Sequence, residues 1–462
     1  MPPQIATVVY VIGIVGLFIL DREGKCRTSR GLWVPVGWLL LVGSRTPSEW
    51  FQSGPAVSSA DTYNIEANPL NVIVYSLLMA CGLIVLANRR RQLGKFLLAN
   101  WPILLFFSYC ALSTLWSDFP GAAFRKWIRS LGDLIMVLII LTEFEPVAAL
   151  KRVYARTGFV LLPASVLLIK YYPTLGRSYS NSWVLMFNGV TNHKNTLGSV
   201  CLVIGLGFLW RFLEHYRTKG APHRGRHLLA DGVMLAMVIW LLWKANSVTS
   251  SVCFLMAAAV MVVTRLSITR RKAWVLHVLV AALVSLALFT VFFDAGGDLV
   301  QTVGRNPTLT GRTAIWQQVL GMAQNPLFGT GFESFWLGDR LQKMWSDHIG
   351  IRLNEAHNGY LEVYLNLGWC GVALLAVIIV TGYRMIIGRL RLDSRLSGLK
   401  LAYFVAALNY SHSEAGFRMT SNMWVYFLLA TAAVPIMSAR NAPRPALEEG
   451  LPDHVREHAG VA

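Results

Sequence analysis

The sequence predicts an all-α polytopic membrane protein of about 12–13 transmembrane helices, interrupted once by a large helical loop. Three observations predict it. The 462-residue chain is 55% hydrophobic and only 14% charged, with a mean hydropathy of +0.49, too apolar for a soluble core of that size. Its apolar residues come in repeated runs of roughly 17–22, the length that crosses about 30 Å of hydrocarbon. The only long polar interval lies between Gly304 and Gly368.

The runs lie near residues 4–20, 32–43, 69–87, 97–116, 128–142, 157–169, 197–213, 229–243, 250–264, 275–293, 366–386, 398–410 and 423–437. Several end in Gly, Pro or charge, where helices stop. The first lacks a basic leader and a small-residue cleavage site, so it reads as a retained span. The expected organisation is 1–293 for helices 1–10, 294–365 for the large loop, 366–437 for helices 11–13, and 438–462 for a disordered tail. No internal repeat is evident, so the inverted-repeat mark of many transporters is absent.

Orientation follows from the basic residues. Two thirds of the 42 Lys and Arg lie in or beside the loops after the odd-numbered spans, with the tail. Positive charge stays on the cytoplasmic side. Arg89-Arg90-Arg91 and Arg270-Arg271-Lys272 then face the cytoplasm, and the 294–365 loop faces the periplasm of a Gram-negative inner membrane. The formal charge of +18 is explained by these loops, and no basic stretch interleaved with stacking aromatics points to nucleic acid. The six cysteines show no paired spacing and read as small buried hydrophobes.

In the large loop, Thr308 or Thr310 can cap a helix through Arg312, Trp316 and Val319. Asn325-Pro326 breaks it, and Gly329 and Gly331 make the return. A second amphipathic stretch covers Phe335 to Trp345. A third begins near Glu355 and runs into the next span, placing His357, Tyr360, Leu361 and Tyr364 on one face. Three smaller outward loops hold Arg45 with Trp50, Arg177 with Asn192-His193-Lys194-Asn195, and Ser411-His412-Ser413-Glu414.

The periplasm holds no ATP, so bond formation there needs an activated donor, and a lipid-diphosphate-linked sugar is the natural one. Its leaving group is anionic, which favours Arg over Lys as its partner. The attacking sugar hydroxyl needs a base; a His with an ordinary pKa near about 6.5, or a carboxylate, suits that role. No acidic cluster or His-x-x-x-His spacing suggests a metal, and no cofactor is expected. Each candidate also has a structural alternative. His357 could be a satisfied helix-terminal histidine, and Arg312 could pair with Glu333 or lipid head groups. Lys194 could snorkel to the interface, and Glu414 could pair with Arg418. Tyr360 and Trp316 read as packing residues.

The motifs Gly311-Arg312-x-x-x-Trp316, Asn325-Pro326-Leu327-Phe328-Gly329-x-Gly331, and Ala356-His357-Asn358-x-x-Leu361 before Leu367-Gly368 resemble the O-antigen ligase and Wzy-type polymerase superfamily. Asn192-His193-Lys194-Asn195-x-Leu197-Gly198 and Ser413-Glu414 fit two further motifs, and the match covers roughly 185 to 435. Ser44-Arg45-x-x-Ser48-x-Trp50 resembles its exopolysaccharide-polymerase branch. The resemblance implies a GT-C-like, metal-independent, inverting glycosyltransferase using undecaprenyl-diphosphate-linked glycans as donor and acceptor. It assigns the base to His357 and diphosphate binding to Arg312. One departure stands out: where the family often has Ser-Arg, this chain reads Thr249-Ser250-Ser251. Lys244, Arg45 or Arg177 are the cations that could compensate.

The expectation is an inner-membrane polymerase of lipid-linked repeat units for an exopolysaccharide or O-antigen. Catalysis falls to His357 and Arg312, and substrate binding to Lys194, Arg45, Arg177, His193, Asn195, Asn358 and Glu414. The bilayer is a partner, with a chain-length regulator and a flippase as further candidates. The nearest alternative is an O-antigen ligase acting on lipid A-core. A non-enzymatic lipid-linked sugar transporter would require charged residues within the spans, and the sequence reads as nearly free of them.

Overall fold

The computed structural model describes residues 1–22, 28–51, 68–180, 183–218, 220, 222–266, 272–292, 308–347, 353–419 and 421–433. The tail beyond 433, the basic pair Arg270-Arg271, and residues 293–307 of the large loop lie outside the described residues, as do the side chains of Arg90 and Arg91.

Each of the thirteen apolar runs meets a helix. In order they are Pro3–Leu20, Trp33–Val42, Pro69–Ala87, Trp101–Ser113, Pro120–Leu141, Pro146–Tyr171, Lys194–Arg217, Arg224–Ala245, Val248–Val263, Ala273–Phe292, Gly359–Leu390, Ser394–Ser413 and Asn422–Thr431. Six of them are long and apolar enough to cross a membrane by length and composition. The protein is an all-α polytopic membrane protein. Among the described residues the only sheet is a hairpin pairing Arg177–Tyr179 with Leu185–Phe187, in a stretch read from sequence as plain loop.

Burial sorts the helices into an inner and an outer set. Every residue from Ser397 to His412 is buried, because Ser394–Ser413 packs at the centre of the bundle. Pro3–Leu20 and Pro69–Ala87 instead leave Val8, Ile12, Ile73 and Leu77 exposed. Such an apolar surface suits contact with lipid tails.

The helices carry more charge than the sequence reading allowed, which corrects it. Arg211 is buried against Asp21 and Asp231, and His215 Nδ1 lies 2.8 Å from Asp231. Asp133 accepts from Trp38 Nε1 at 2.7 Å. Lys400 donates to Ala432 O at 2.6 Å, satisfying a carbonyl at the C-terminal end of Asn422–Thr431. These charges are held by partners, as buried charge must be.

The large loop folds as helices Thr308–Gly321 and Gly338–Asp347 around a small core of Val319, Phe335, Trp336, Leu341 and Met344. Thr308 and Thr310 both fall within the first of these helices, and their side chains, with the cap expected of them, lie outside the described residues. The third stretch starts at Gly359, with Asn358 as N-cap, so His357 lies before the helix and does not share a helical face with Tyr360.

That helix is broken at Gly368, whose φ of 63° only glycine adopts easily. The backbone groups freed by the break find partners in the return segment. Thr330 N donates to Leu365 O at 3.1 Å and Gly331 N to Asn366 O at 2.9 Å. Trp369 N donates to Pro326 O and Cys370 N to Leu327 O, at 2.9 and 3.1 Å. Tyr109 Oη donates to Leu367 O at 2.9 Å. Irregular backbone in a membrane protein persists only where it is satisfied in this way. The break thus docks the loop onto the bundle and fixes the site beside it.

Candidate active site

The site is assembled from three separate segments at one end of the bundle. His357 is its centre. Its φ of 50° is unusual for a residue with a side chain, and hydrogen bonds on both sides hold it there. Ala356 N donates to Glu362 Oε1 at 2.5 Å, and Trp316 Nε1 donates to Ala356 O at 2.8 Å. Arg418 donates to Asn354 O at 3.2 Å. On the other side, Asn358 Oδ1 accepts from Tyr360 N and Leu361 N.

His357 Nδ1 lies 3.0 Å from Glu355 Oε1 and 3.2 Å from Glu414 Oε2. The other oxygen of Glu414 accepts from Arg312 at 3.2 Å and from Asn195 Nδ2 at 3.0 Å. The large loop, the start of Lys194–Arg217 and the end of Ser394–Ser413 therefore meet on one carboxylate. The side chain of Glu414 is only 6% exposed and that of His357 25%.

This surrounding changes the histidine. Burial alone would lower its pKa, but the hydrogen bonds and charges of Glu355 and Glu414 outweigh burial and raise it to about 10. For Glu355, burial pushes upward, yet His357 and the more distant Arg418 hold its pKa down at about 2. Glu355 and Glu414 thus favour the imidazolium form, raising His357 well above the pKa near about 6.5 expected from residue type.

The ion pairs exchange the partners read from sequence. Arg312 pairs with Glu414, not Glu333, and Arg418 pairs with Glu333 at 2.9 Å, not Glu414. Burial would lower the Arg418 pKa, but Glu333, Glu362 and Glu355 raise it. Glu355 and Glu362 were not assigned a site role from sequence, and Arg418 was read only as a pair for Glu414. Glu362 follows Asn358 by one helical turn, which is the only local signal that it could turn back onto the 354–357 segment.

Other expected substrate-binding residues are placed differently. His193 caps Lys194–Arg217 by accepting from Asn195 N at 3.2 Å, and Lys194 opens that helix beside it. Asn358 spends its carbonyl oxygen on its own cap. Arg45 donates to Asn192 Oδ1 and to the carbonyls of Leu175 and Thr191. Arg177 donates to Ile169 O. These two arginines hold loops and do not reach the cluster. Where Ser-Arg was missing, Thr249 Oγ1 meets Ser413 Oγ at 2.9 Å, next to Glu414. Lys244 sits over the rings of Phe187, Trp240 and Trp243.

Spacing along the chain suggested no metal site, but the fold brings one nitrogen and two carboxylates together. One potential ligand atom from each of Glu355, His357 and Glu414 lies within 4.8 Å of the others. A divalent cation there would compete with the imidazolium proton and with Arg312 and Asn195 for the same atoms.

A bundle of membrane helices with a partly buried Arg–Glu–His cluster beside a docked loop defines a polytopic membrane protein with the parts of a group-transfer site. Residues 191–376 match the family model described as "O-Antigen ligase". The chain is also 26% identical over 373 residues to the exopolysaccharide production protein ExoQ of Rhizobium meliloti (strain 1021), covering 75% of this chain and 82% of that protein. Together the two matches support membership of an ExoQ-like O-antigen ligase/polymerase family.

Proposed function

We propose that the protein is an inner-membrane polymerase of undecaprenyl-diphosphate-linked oligosaccharide repeats in exopolysaccharide or O-antigen synthesis, with its active site facing the periplasm. The observation that carries this reading is the Arg312–Glu414–His357–Glu355 chain of contacts. Arg312, with Lys194 next in the chain to Asn195, would hold the donor diphosphate. The His357 Nδ1 edge is taken by the two carboxylates, which leaves Nε2 for substrate.

In the proposed step, the acceptor hydroxyl oxygen attacks the anomeric carbon as the bond from that carbon to the diphosphate oxygen breaks. The bonding pair leaves with undecaprenyl diphosphate, and His357 Nε2 takes the hydroxyl proton. A single displacement inverts the anomeric centre and needs neither a covalent intermediate nor a metal. The imidazolium formed is the species that Glu355 and Glu414 stabilise, so the cluster favours the product side of proton transfer. The cost is that only the minority neutral form can act as base near neutral pH.

The test is complementation of cells lacking the gene, with wild type and His357→Ala at matched membrane levels and glycans resolved by gel. Long polymer from wild type and single lipid-linked repeats from the mutant are expected. Normal polymer from the mutant would remove His357 from the mechanism. The family model's description favours a second reading, transfer of finished glycan to lipid A-core. In that case loss of the gene would abolish all capping, whereas loss of a polymerase leaves single-repeat capping.

A further inference from the structure

A cleft of about 370 Å³ opens between the large loop and the turn before Pro120–Leu141, lined by Trp116, Asp118, Gln324, Asn325 and Phe328. Its size lies within the roughly 300–1,000 Å³ usual for small-molecule sites. It is separate from the His357 cluster, although both abut the start of Gly359–Leu390: Thr330 in the cleft wall donates to Leu365 O, and Glu362 one turn earlier holds Ala356.

We propose that this cleft is a glycan subsite that holds an uncharged stretch of the polysaccharide some residues away from the bond being made. The inference rests on the lipid-linked-glycan reading above. A pyranose presents a flat C–H face and a rim of hydroxyls. The first suits an aromatic ring, and the second suits planar amides and carboxylates with unspent hydrogen-bonding groups.

The cleft supplies both. The rings of Trp116 and Phe328 pack edge to face at 5.9 Å, and Trp116 Nε1 is anchored on Phe328 O at 3.3 Å. Phe328 is 42% exposed. Asn325 Oδ1 accepts from Leu327 N and Phe328 N, so its amide nitrogen is the end left for a ligand. Asp118 uses Oδ2 on Arg340 at 2.7 Å and keeps its other oxygen. Gln324 is exposed beside them. The one charged lining residue is already neutralised by Arg340, so the cleft suits an uncharged sugar and is a poor match for a diphosphate, which needs cations.

The test uses the full-length protein in lipid nanodiscs. Tryptophan fluorescence would report binding of short neutral oligosaccharides cut from the host's own polymer. Gln324→Ala and Trp116→Phe are each expected to raise Kd roughly tenfold, the scale of one lost contact, while His357→Ala binds as wild type does. In cells the two cleft variants are expected to shorten the polymer while transfer continues. Equal binding by wild type and both cleft variants, or no binding by wild type, would overturn the proposal. Oligosaccharide binding does not depend on transfer, so a failure of the polymerase reading appears separately, as absence of polymer with wild type.

Discussion

His357 Nδ1 lies 3.2 Å from Glu414 Oε2, although 57 residues separate the two in the chain. Among the described residues, Glu414 touches Arg312, Asn195 and His357 at once. Glu414→Gln keeps the shape but removes the charge that both cations face. Transfer activity is expected to fall by about 100-fold, the scale of a lost oriented catalytic partner. The alkaline limb of the pH profile should also move down, because one of the two groups raising the His357 pKa is gone. Steady-state assays of purified variant and wild type across pH check both.

The same ion pairs make stability depend on pH in both directions. The raised His357 pKa contributes stability fully below about 6.5, lost as pH rises through about 10. The lowered Glu355 pKa contributes above about 4.5, lost as pH falls toward about 2. The cluster's share is therefore greatest between about 4.5 and 6.5. Thermal unfolding in detergent should show a midpoint that declines from neutral pH toward 10, with a flatter decline in His357→Gln.

Arg418 and Glu333 form a mostly buried pair, with side chains 14% and 7% exposed. Arg418→Ala would strand the Glu333 carboxylate and release Asn354 O. Breaking such a pair costs about 3–5 kcal/mol. A lower yield of folded protein is expected in fluorescence-detected size-exclusion profiles, with partial recovery in Arg418→Lys.

Gly368 and the return segment interlock. A Cβ on Gly368 would lie 2.3 Å from the Leu327 carbonyl carbon and oxygen, in addition to the positive φ. Gly368→Ala is expected to cost about 3 kcal/mol or more through strain and undocking. Limited proteolysis should then cut near Pro326 faster than in wild type.

Much of this fold was legible in the sequence because membrane helices announce themselves by length and hydropathy. The apolar runs, the polar interval and the kinship motifs containing His357, Arg312 and Glu414 could all be read there. The pairing among those residues could not. Arg312 and Glu414 are 102 residues apart, and their contact depends on how the loop docks. Periodicity misplaced His357 on a helical face because the left-handed turn at that residue breaks the register. It also gave no hint that Gly368 would interrupt a helix whose apolar run continues past it. Buried charges such as Arg211 escaped notice because their partners come from other helices.

The most direct test of the account is the pH–rate profile of transfer by the purified protein with lipid-linked repeat units, for wild type and Glu355→Gln. If neutral His357 takes the proton, the wild-type rate rises with pH and levels only near 10, and Glu355→Gln levels at a lower pH. A wild-type rate that is flat from neutral pH to 10, or that falls as His357 loses its proton, would contradict the account and make the imidazolium the working form.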